Sequence, residues 1–182
     1  MEENKVLELR MYFFVPYNIS PIQQAIQAGH ASLEYARLYG DSSEFKDFVD
    51  NWKTWIILNG GTTNNQRDAE DMPLGTLNQI AHELDANDIQ FSYFFEPDLN
   101  NALTAVCFIC DERVFNIKDY PNFLDYMFNV KMYPDVKTMV HAENNYEILK
   151  KQPDEAIQEM FPEYYKVWVR FIGGMKNVFL RK

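Results

Sequence analysis

The start of the first helix is the best-marked feature of this sequence. Ser20 is a typical N-cap, Pro21 follows at the first helical position, and Gln23 completes a capping box. An apolar segment typical of a β-strand, residues 6–15, comes just before it. The helix is expected to continue as far as Gly40, whose type favours a helix end. A strand followed by a capped helix favours folds in which helices cover a sheet.

One face of this helix carries a polar stripe at i, i+4, i+7 and i+11, made of Gln23, Gln27, His30 and Glu34. The neighbouring face is apolar, as is usual for the buried side of a helix; it comprises Ile22, Ala25, Ile26, Gly29, Leu33 and Ala36. A polar stripe just past the carboxyl end of a strand lies where open α/β sheets place ligand sites. The stripe is equally typical of the solvated face of a surface helix, so both interpretations stay open.

The remaining elements predict an α/β fold. Asp41-Ser42-Ser43-Glu44 is interpreted as a second capping box that opens a short helix, and apolar residues at helical spacing predict another helix over residues 74–84. Further strands are predicted over residues 52–58, 89–95 and 103–110. The order β-α-α-β-α-β-β predicts a small four-stranded mixed sheet flanked by helices.

The composition of the sequence changes after about residue 116, where prolines recur and aromatic residues are frequent. We interpret residues 1–116 as the α/β domain and residues 117–182 as a helical extension packed on the same domain. The end of this extension is basic between Lys166 and Lys182. Such a tail can bind phosphate or a partner, but more often it complements its own helix dipole and docks on an acidic body.

Charge and composition restrict the partners and the compartment. The net charge of −10 argues against tight non-specific binding to nucleic acid, because neutralised phosphates supply that affinity. No apolar run approaches the roughly 18 residues of a membrane span, and the acidic N-terminus does not resemble a signal peptide. We therefore expect a cytoplasmic protein that does not bind a membrane. The oligomeric state is left open.

The two cysteines, Cys107 and Cys110, have the spacing of a redox pair or half a zinc site. They lie inside an apolar, strand-like run, where residues three apart point to opposite faces. We therefore expect two buried thiols, no metal and no cofactor.

Residues 6–112 resemble the type 2 peptidyl-tRNA hydrolase family. Gln27-Ala28-Gly29-His30-Ala31 is similar to the family's Q-C-S-H-A motif, and Trp52 stands before the second strand as the family's tryptophan does. Glu96-Pro97-Asp98, followed by Thr104-Ala105-Val106, is similar to the family's acidic D-x-G-x-T loop and the T-V-L strand after it. The order of elements agrees as well.

The resemblance implies an ester hydrolase that acts on peptidyl-tRNA. Such a reaction needs a base to orient water and donors to hold the developing oxyanion. Asp98 or Glu96 is the candidate base, and Thr104 with Gln27 would supply hydrogen bonds. His30 is a further catalytic candidate, whereas Gln23 and Gln27 are candidate ligand-binding residues. On the residues alone, the acidic segment is also an ordinary turn and Thr104 an ordinary strand residue.

The chain departs from the family pattern in three respects. Gln23 or a neighbour stands where the family has its active-site lysine, and an amide carries no charge. The acidic loop lacks the family's glycine and first threonine, and the whole chain is acidic. We therefore predict a non-catalytic binder of a small ligand or a protein partner, with a divergent aminoacyl- or peptidyl-tRNA ester hydrolase as the alternative. A compact acidic form of this fold also fits a bacteriophage or mobile-element protein.

Overall fold

A computed structural model describes residues 6–116 of the 182-residue chain. One compact unit contains Glu8–Cys110. The second unit contains Asp111–Val178 and the residues before Glu8, and of this unit the structure describes residues 6–7 and 111–116. The predicted helical extension over residues 117–182, with its basic tail, lies outside the described residues. Its packing on the α/β domain therefore stays a prediction.

The elements follow the predicted order β-α-α-β-α-β-β. The strands are β1 (Leu9–Pro16), β2 (Thr54–Gly61), β3 (Ser92–Glu96) and β4 (Ala102–Asp111). The helices are α1 (Pro21–Tyr39), α2 (Ser43–Asp47), α3 (Thr76–Ala86) and α4 (Glu112–Phe115). A π-helical turn (Phe48–Trp52) follows α2, and a 3-10 turn (Pro97–Leu99) follows β3. Among residues 6–116, no helix is long and apolar enough to cross a bilayer.

The sheet is mixed, as predicted, with strand order β2-β1-β4-β3. β1 pairs with β2 in parallel, whereas β3 and β4 are antiparallel. β1 and β4 lie in the middle, and nearly all their side chains are buried, as expected of strands covered on both faces. β2 and β3 are the edge strands among those described.

The start and end of α1 are confirmed. The Ser20 hydroxyl accepts from the Gln23 backbone N–H at 3.3 Å, and the Gln23 side-chain oxygen accepts from the Ser20 N–H at 3.0 Å. Pro21 is the first helical residue, and the helix ends at Tyr39 with Gly40 as its C-cap. Local capping chemistry was therefore sufficient to predict both ends.

The predicted apolar face of α1 is not the face that packs on the sheet. Ile22, Ile26 and Leu33 are 74%, 49% and 69% exposed. The helix instead buries Gln24, Gln27, Ala28, Ala31 and Tyr35. Two buried glutamines are tolerable because both side-chain amides find partners, and the small alanines let the helix approach the strands closely. Apolar periodicity alone therefore predicted the wrong buried face, because Ile22, Ile26 and Leu33 lie beside the surface of α1 that contacts the sheet.

The second capping box is also corrected. Ser42, not Asp41, is the N-cap of α2, and its hydroxyl accepts from the Phe45 N–H at 3.1 Å. The third helical residue is therefore Phe45, so Glu44 stands one position too early to close a box. The short helix itself is present where it was expected.

β2 extends further than predicted, because Asn59-Gly60-Gly61 continues the strand instead of ending it. Its pairing with β1 runs on to Pro16 opposite Gly61. A side chain at Gly60 would meet the Leu77 methyl at 2.8 Å and the backbone N of Val15 at 3.2 Å. Glycine is therefore needed here for the close approach of α3 to the sheet.

The core beneath α1 uses alternate positions of the two central strands. β1 contributes every second residue, and so does β4 from residue 105 onward. The main members of this cluster are Met11, Phe13, Val15, Ala28, Ala31, Tyr35, Ala105, Cys107 and Ile109. Cys107 and Cys110 are both free and buried, and burial raises the pKa of the Cys107 thiol to about 12.

A buried hydroxyl ties β3 and β4 to α1. The Ser92 hydroxyl donates to the carbonyl oxygen of Ala31 at 2.6 Å, and it lies 3.1 Å from the Cys107 sulfur. Because a hydroxyl has a single hydrogen, the Cys107 thiol is then the donor to Ser92. Both groups are fully buried, so neither has water as an alternative partner.

Ser92→Ala is expected to lower the free energy of unfolding by about 1–3 kcal/mol, because it removes a buried hydroxyl that satisfies two other groups. The matched control is Ser32→Ala, which removes a hydroxyl bonded only to the preceding turn of α1 and should change stability little. Urea unfolding followed by tryptophan fluorescence measures both. Equal stability losses in the two variants would contradict this account of the contact.

Candidate functional site

Three predicted site residues meet in one hydrogen-bonded chain. The Thr104 hydroxyl on β4 donates to the Gln27 side-chain oxygen on α1 at 2.7 Å. The Gln27 side-chain nitrogen donates to a Glu96 carboxylate oxygen at the end of β3 at 2.6 Å. These residues are far apart in sequence and come from three different elements. The candidate site therefore lies where α1 crosses the β3–β4 end of the sheet.

A β-bulge turns Thr104 towards this site. Phe94 pairs with Ala105 and Phe95 with Leu103, so Thr104 is the additional residue on β4. Ala105 and the alternate residues after it already face α1. Strict alternation would therefore point Thr104 to the opposite face of the sheet. The bulge changes the phase of the strand and brings the hydroxyl to the helix side.

The orientation of the Gln27 amide follows from its neighbours. Its side chain is buried, so both polar ends need partners. An ionised carboxylate only accepts hydrogen bonds, so the amide nitrogen faces Glu96. The amide oxygen then faces Thr104, whose hydroxyl also lies 3.2 Å from the Phe94 carbonyl oxygen. Gln27 thus holds Glu96 in place, and each end of its amide already has one protein partner.

Glu96 and Asp98 differ in their surroundings. One oxygen of the half-buried Glu96 carboxylate accepts from Gln27. The other has, within the described part of the chain, only a long 3.5 Å contact with the backbone N of Asp98. Asp98 lies on the 3-10 turn after β3 and is exposed. Within residues 6–116 its carboxylate has no hydrogen-bond partner. Glu96, rather than Asp98, is therefore the carboxylate that contacts Gln27.

His30 lies one turn along α1 from Gln27, but it is outside the hydrogen-bonded chain. Its ring packs on the ring of Phe94, with centroids 4.4 Å apart and planes at 60°. The buried Nδ1 atom has no hydrogen-bond partner within the described residues. No described contact connects His30 with Glu96 or Thr104.

Gln23 was predicted to bind a ligand together with Gln27, but its side chain caps α1 instead. The Gln23 side-chain oxygen belongs to the helix cap, and no described contact joins Gln23 to Gln27. Gln24 was not predicted as a site residue, although it is buried. Its amide donates to the carbonyl oxygens of Pro16 at 3.3 Å and Ile19 at 3.0 Å. It therefore secures the turn between β1 and α1, a position that helix periodicity could not reveal.

No protein-family model matches this chain, and no curated protein sequence matches it significantly. The resemblance to type 2 peptidyl-tRNA hydrolases thus stays a prediction from the quoted motifs. Among residues 6–116, no group of three or more histidine, cysteine, aspartate or glutamate side chains is placed to hold a metal ion.

Thr104→Val is expected to destabilise the protein by about 1–3 kcal/mol, because it leaves the buried Gln27 oxygen without its donor. Thr104→Ser keeps the hydroxyl and serves as the control, which should lose less. Urea unfolding of both variants gives the comparison. If the valine variant proved at least as stable as the serine variant, the hydrogen bond from Thr104 would contribute nothing to the fold.

Proposed function

We propose that the protein is a non-catalytic binding protein, and that Glu96 receives an amine or guanidinium group of a small ligand. The main support for this proposal is the hydrogen bonding of the Gln27 amide. Both of its ends are already engaged, one with Thr104 and one with Glu96. The amide therefore orients a carboxylate instead of contacting a ligand itself.

The charge of the site supports a cationic ligand group. Within residues 6–116 no lysine or arginine forms an ion pair with Glu96 or Asp98. Among residues 6–116, the Glu96 oxygen that does not face Gln27 has only a 3.5 Å contact with the backbone N of Asp98, so a ligand group can donate to it. Hydrogen bonds between a carboxylate and a charged donor are about twice as strong as neutral ones, particularly when the carboxylate is already held in position.

The same arrangement does not favour ester hydrolysis. A hydrolase needs donors aimed at the developing oxyanion, and the candidates for that role were Gln27 and Thr104. The Thr104 hydroxyl donates its single hydrogen to Gln27, and the Gln27 nitrogen uses one of its two hydrogens on Glu96. Only the second amide hydrogen of Gln27 is then left for an oxyanion. The divergent hydrolase stays the alternative, because the available Glu96 oxygen could also orient a water molecule.

Binding is tested by titrating the full-length protein with arginine amide and following its backbone amides by NMR. We expect saturable shifts near Glu96, and Glu96→Gln should weaken binding roughly tenfold or more because a charged acceptor becomes neutral. Glu34→Gln is the control, since it removes the same charge from an exposed pair with Arg37 on α1. Equal weakening in both variants would indicate only general attraction to an acidic protein and would contradict the proposed site.

Catalysis is tested by single-turnover hydrolysis of peptidyl-tRNA with the protein in excess. A binding protein should give a rate near background, and Glu96→Gln and Asp98→Asn should not change it. If the chain were a hydrolase, loss of its base would reduce a clear wild-type rate on the order of 10²–10⁴-fold. That result would overturn the proposal, and comparison of the two variants would identify the base.

A further inference from the structure

The opposite face of β3 borders a cavity whose lining does not include Gln27, Glu96 or Thr104. Ser92, Phe94 and Glu96 face α1, so the alternate residues Tyr93 and Phe95 face the other way. They line a cavity of about 460 Å³, together with residues from α3 and the loop before it. This volume lies within the range of about 300–1,000 Å³ that is usual for small-molecule sites.

Three aromatic rings form one wall of this cavity. Phe91, Tyr93 and Phe95 occupy alternate positions and all line the cavity. The ring centroids of Phe91 and Tyr93 are 5.9 Å apart, and those of Tyr93 and Phe95 are 5.3 Å apart. Tyr93 is 48% exposed and Phe95 is 42% exposed. Rings in a core are covered on all sides, whereas Tyr93 and Phe95 are partly exposed within a concave surface. Such rings are suited to stack against a planar ligand.

The lining of the cavity also contains a positively charged group and a second hydrogen-bond donor. Arg67, in the loop before α3, and His82, on α3, both line it. The described contacts of Arg67 with Asp71 all use Nη1, so Nε and Nη2 are left to bind an anion. Asp85, also in the lining, can accept from a ring amino group or a hydroxyl.

The loop that carries Arg67 is held firmly. The Asn78 side-chain oxygen on α3 accepts from the Asn64 backbone N–H at 2.9 Å, and its nitrogen donates to Asn65 at 2.9 Å. The backbone of Arg67 also bridges to Pro73 across the loop. The guanidinium is thus presented from an ordered segment, which reduces the entropy lost on binding.

Because aromatic rings and Arg67 line the same cavity, we propose that it binds a planar ring that carries a single anionic group. The ligand would be about as large as a nucleoside monophosphate. The ring stacks on Tyr93 and meets Phe95 edge to face, because the two side-chain rings stand at 73° to each other. The anion lies against Arg67 and His82. A long polyanion is disfavoured because the chain carries a net charge of −10. The site is separate from Glu96, so it does not depend on the function proposed above.

The test is an NMR and calorimetric titration of the full-length protein with adenosine monophosphate, adenosine, inorganic phosphate and 2-naphthoate. Adenosine monophosphate or 2-naphthoate should saturate with shifts at Phe91, Tyr93, Phe95 and Arg67, and phosphate alone should not bind. Saturation by the nucleotide alone identifies a nucleotide site, and saturation by naphthoate alone identifies a site for aromatic carboxylates. Either result supports the shared chemistry.

Variants separate the two halves of the site. Tyr93→Ala should weaken binding of the ligand roughly tenfold or more, because stacking on a ring is lost. Tyr17→Ala removes an exposed ring outside the cavity and should have no effect. Arg67→Gln should weaken the anionic ligands but leave the weaker affinity for uncharged adenosine unchanged.

The proposal is overturned if neither planar anion binds at millimolar concentration, or if phosphate alone binds as well as they do. It is also overturned if Tyr93→Ala and Tyr17→Ala have equal effects. A parallel titration with an extended peptide is the control. If that peptide alone binds, with shifts along β3, the proposal is overturned in favour of strand addition. Binding of arginine amide at Glu96 is measured independently, so failure at one site leaves the other untouched.

Discussion

The buried amide of Gln27 is the constraint on which much of this fold depends. A buried amide without partners would be strongly unfavourable, so α1 must be rotated until Gln27 meets Thr104 and Glu96. The same rotation buries Ala28 and Ala31 against the sheet and leaves Ile22, Ile26 and Leu33 exposed. Hydrogen-bond satisfaction and close packing by small residues thus outweigh the burial of three branched side chains on α1.

The β-bulge at Thr104 is the second device that shapes the molecule, and it acts on both faces of the sheet. On the α1 face it supplies the hydroxyl that orients Gln27. On the other face the change of phase places Leu103 in the lining of the aromatic cavity. One additional residue in β4 therefore contributes to both proposed sites. An edge strand next to a bulge is a common location for binding groups.

The two faces of β3 have different chemistry because the strand alternates between them. One face presents a carboxylate held by an amide, and the other presents three rings to a cavity that an arginine also lines. The first suits a cationic group and the second a planar anion. The short strand thus places Glu96 on the face away from Arg67, and the carboxylate that does line the cavity, Asp85, is suited to accept from donor groups of the ligand.

Local signals in the sequence were enough to determine the α/β class, the order of the elements and both ends of α1, because capping and strand patterns act over a few residues. The sequence also placed Gln27, His30, Glu96, Asp98 and Thr104 in one site, but the described hydrogen bonds join only Gln27, Glu96 and Thr104. Only the tertiary structure decided the buried face of α1, the bulge and the cavity beside Tyr93. These depend on which partners are available across distant segments, and on a strand register that alternation alone does not reveal.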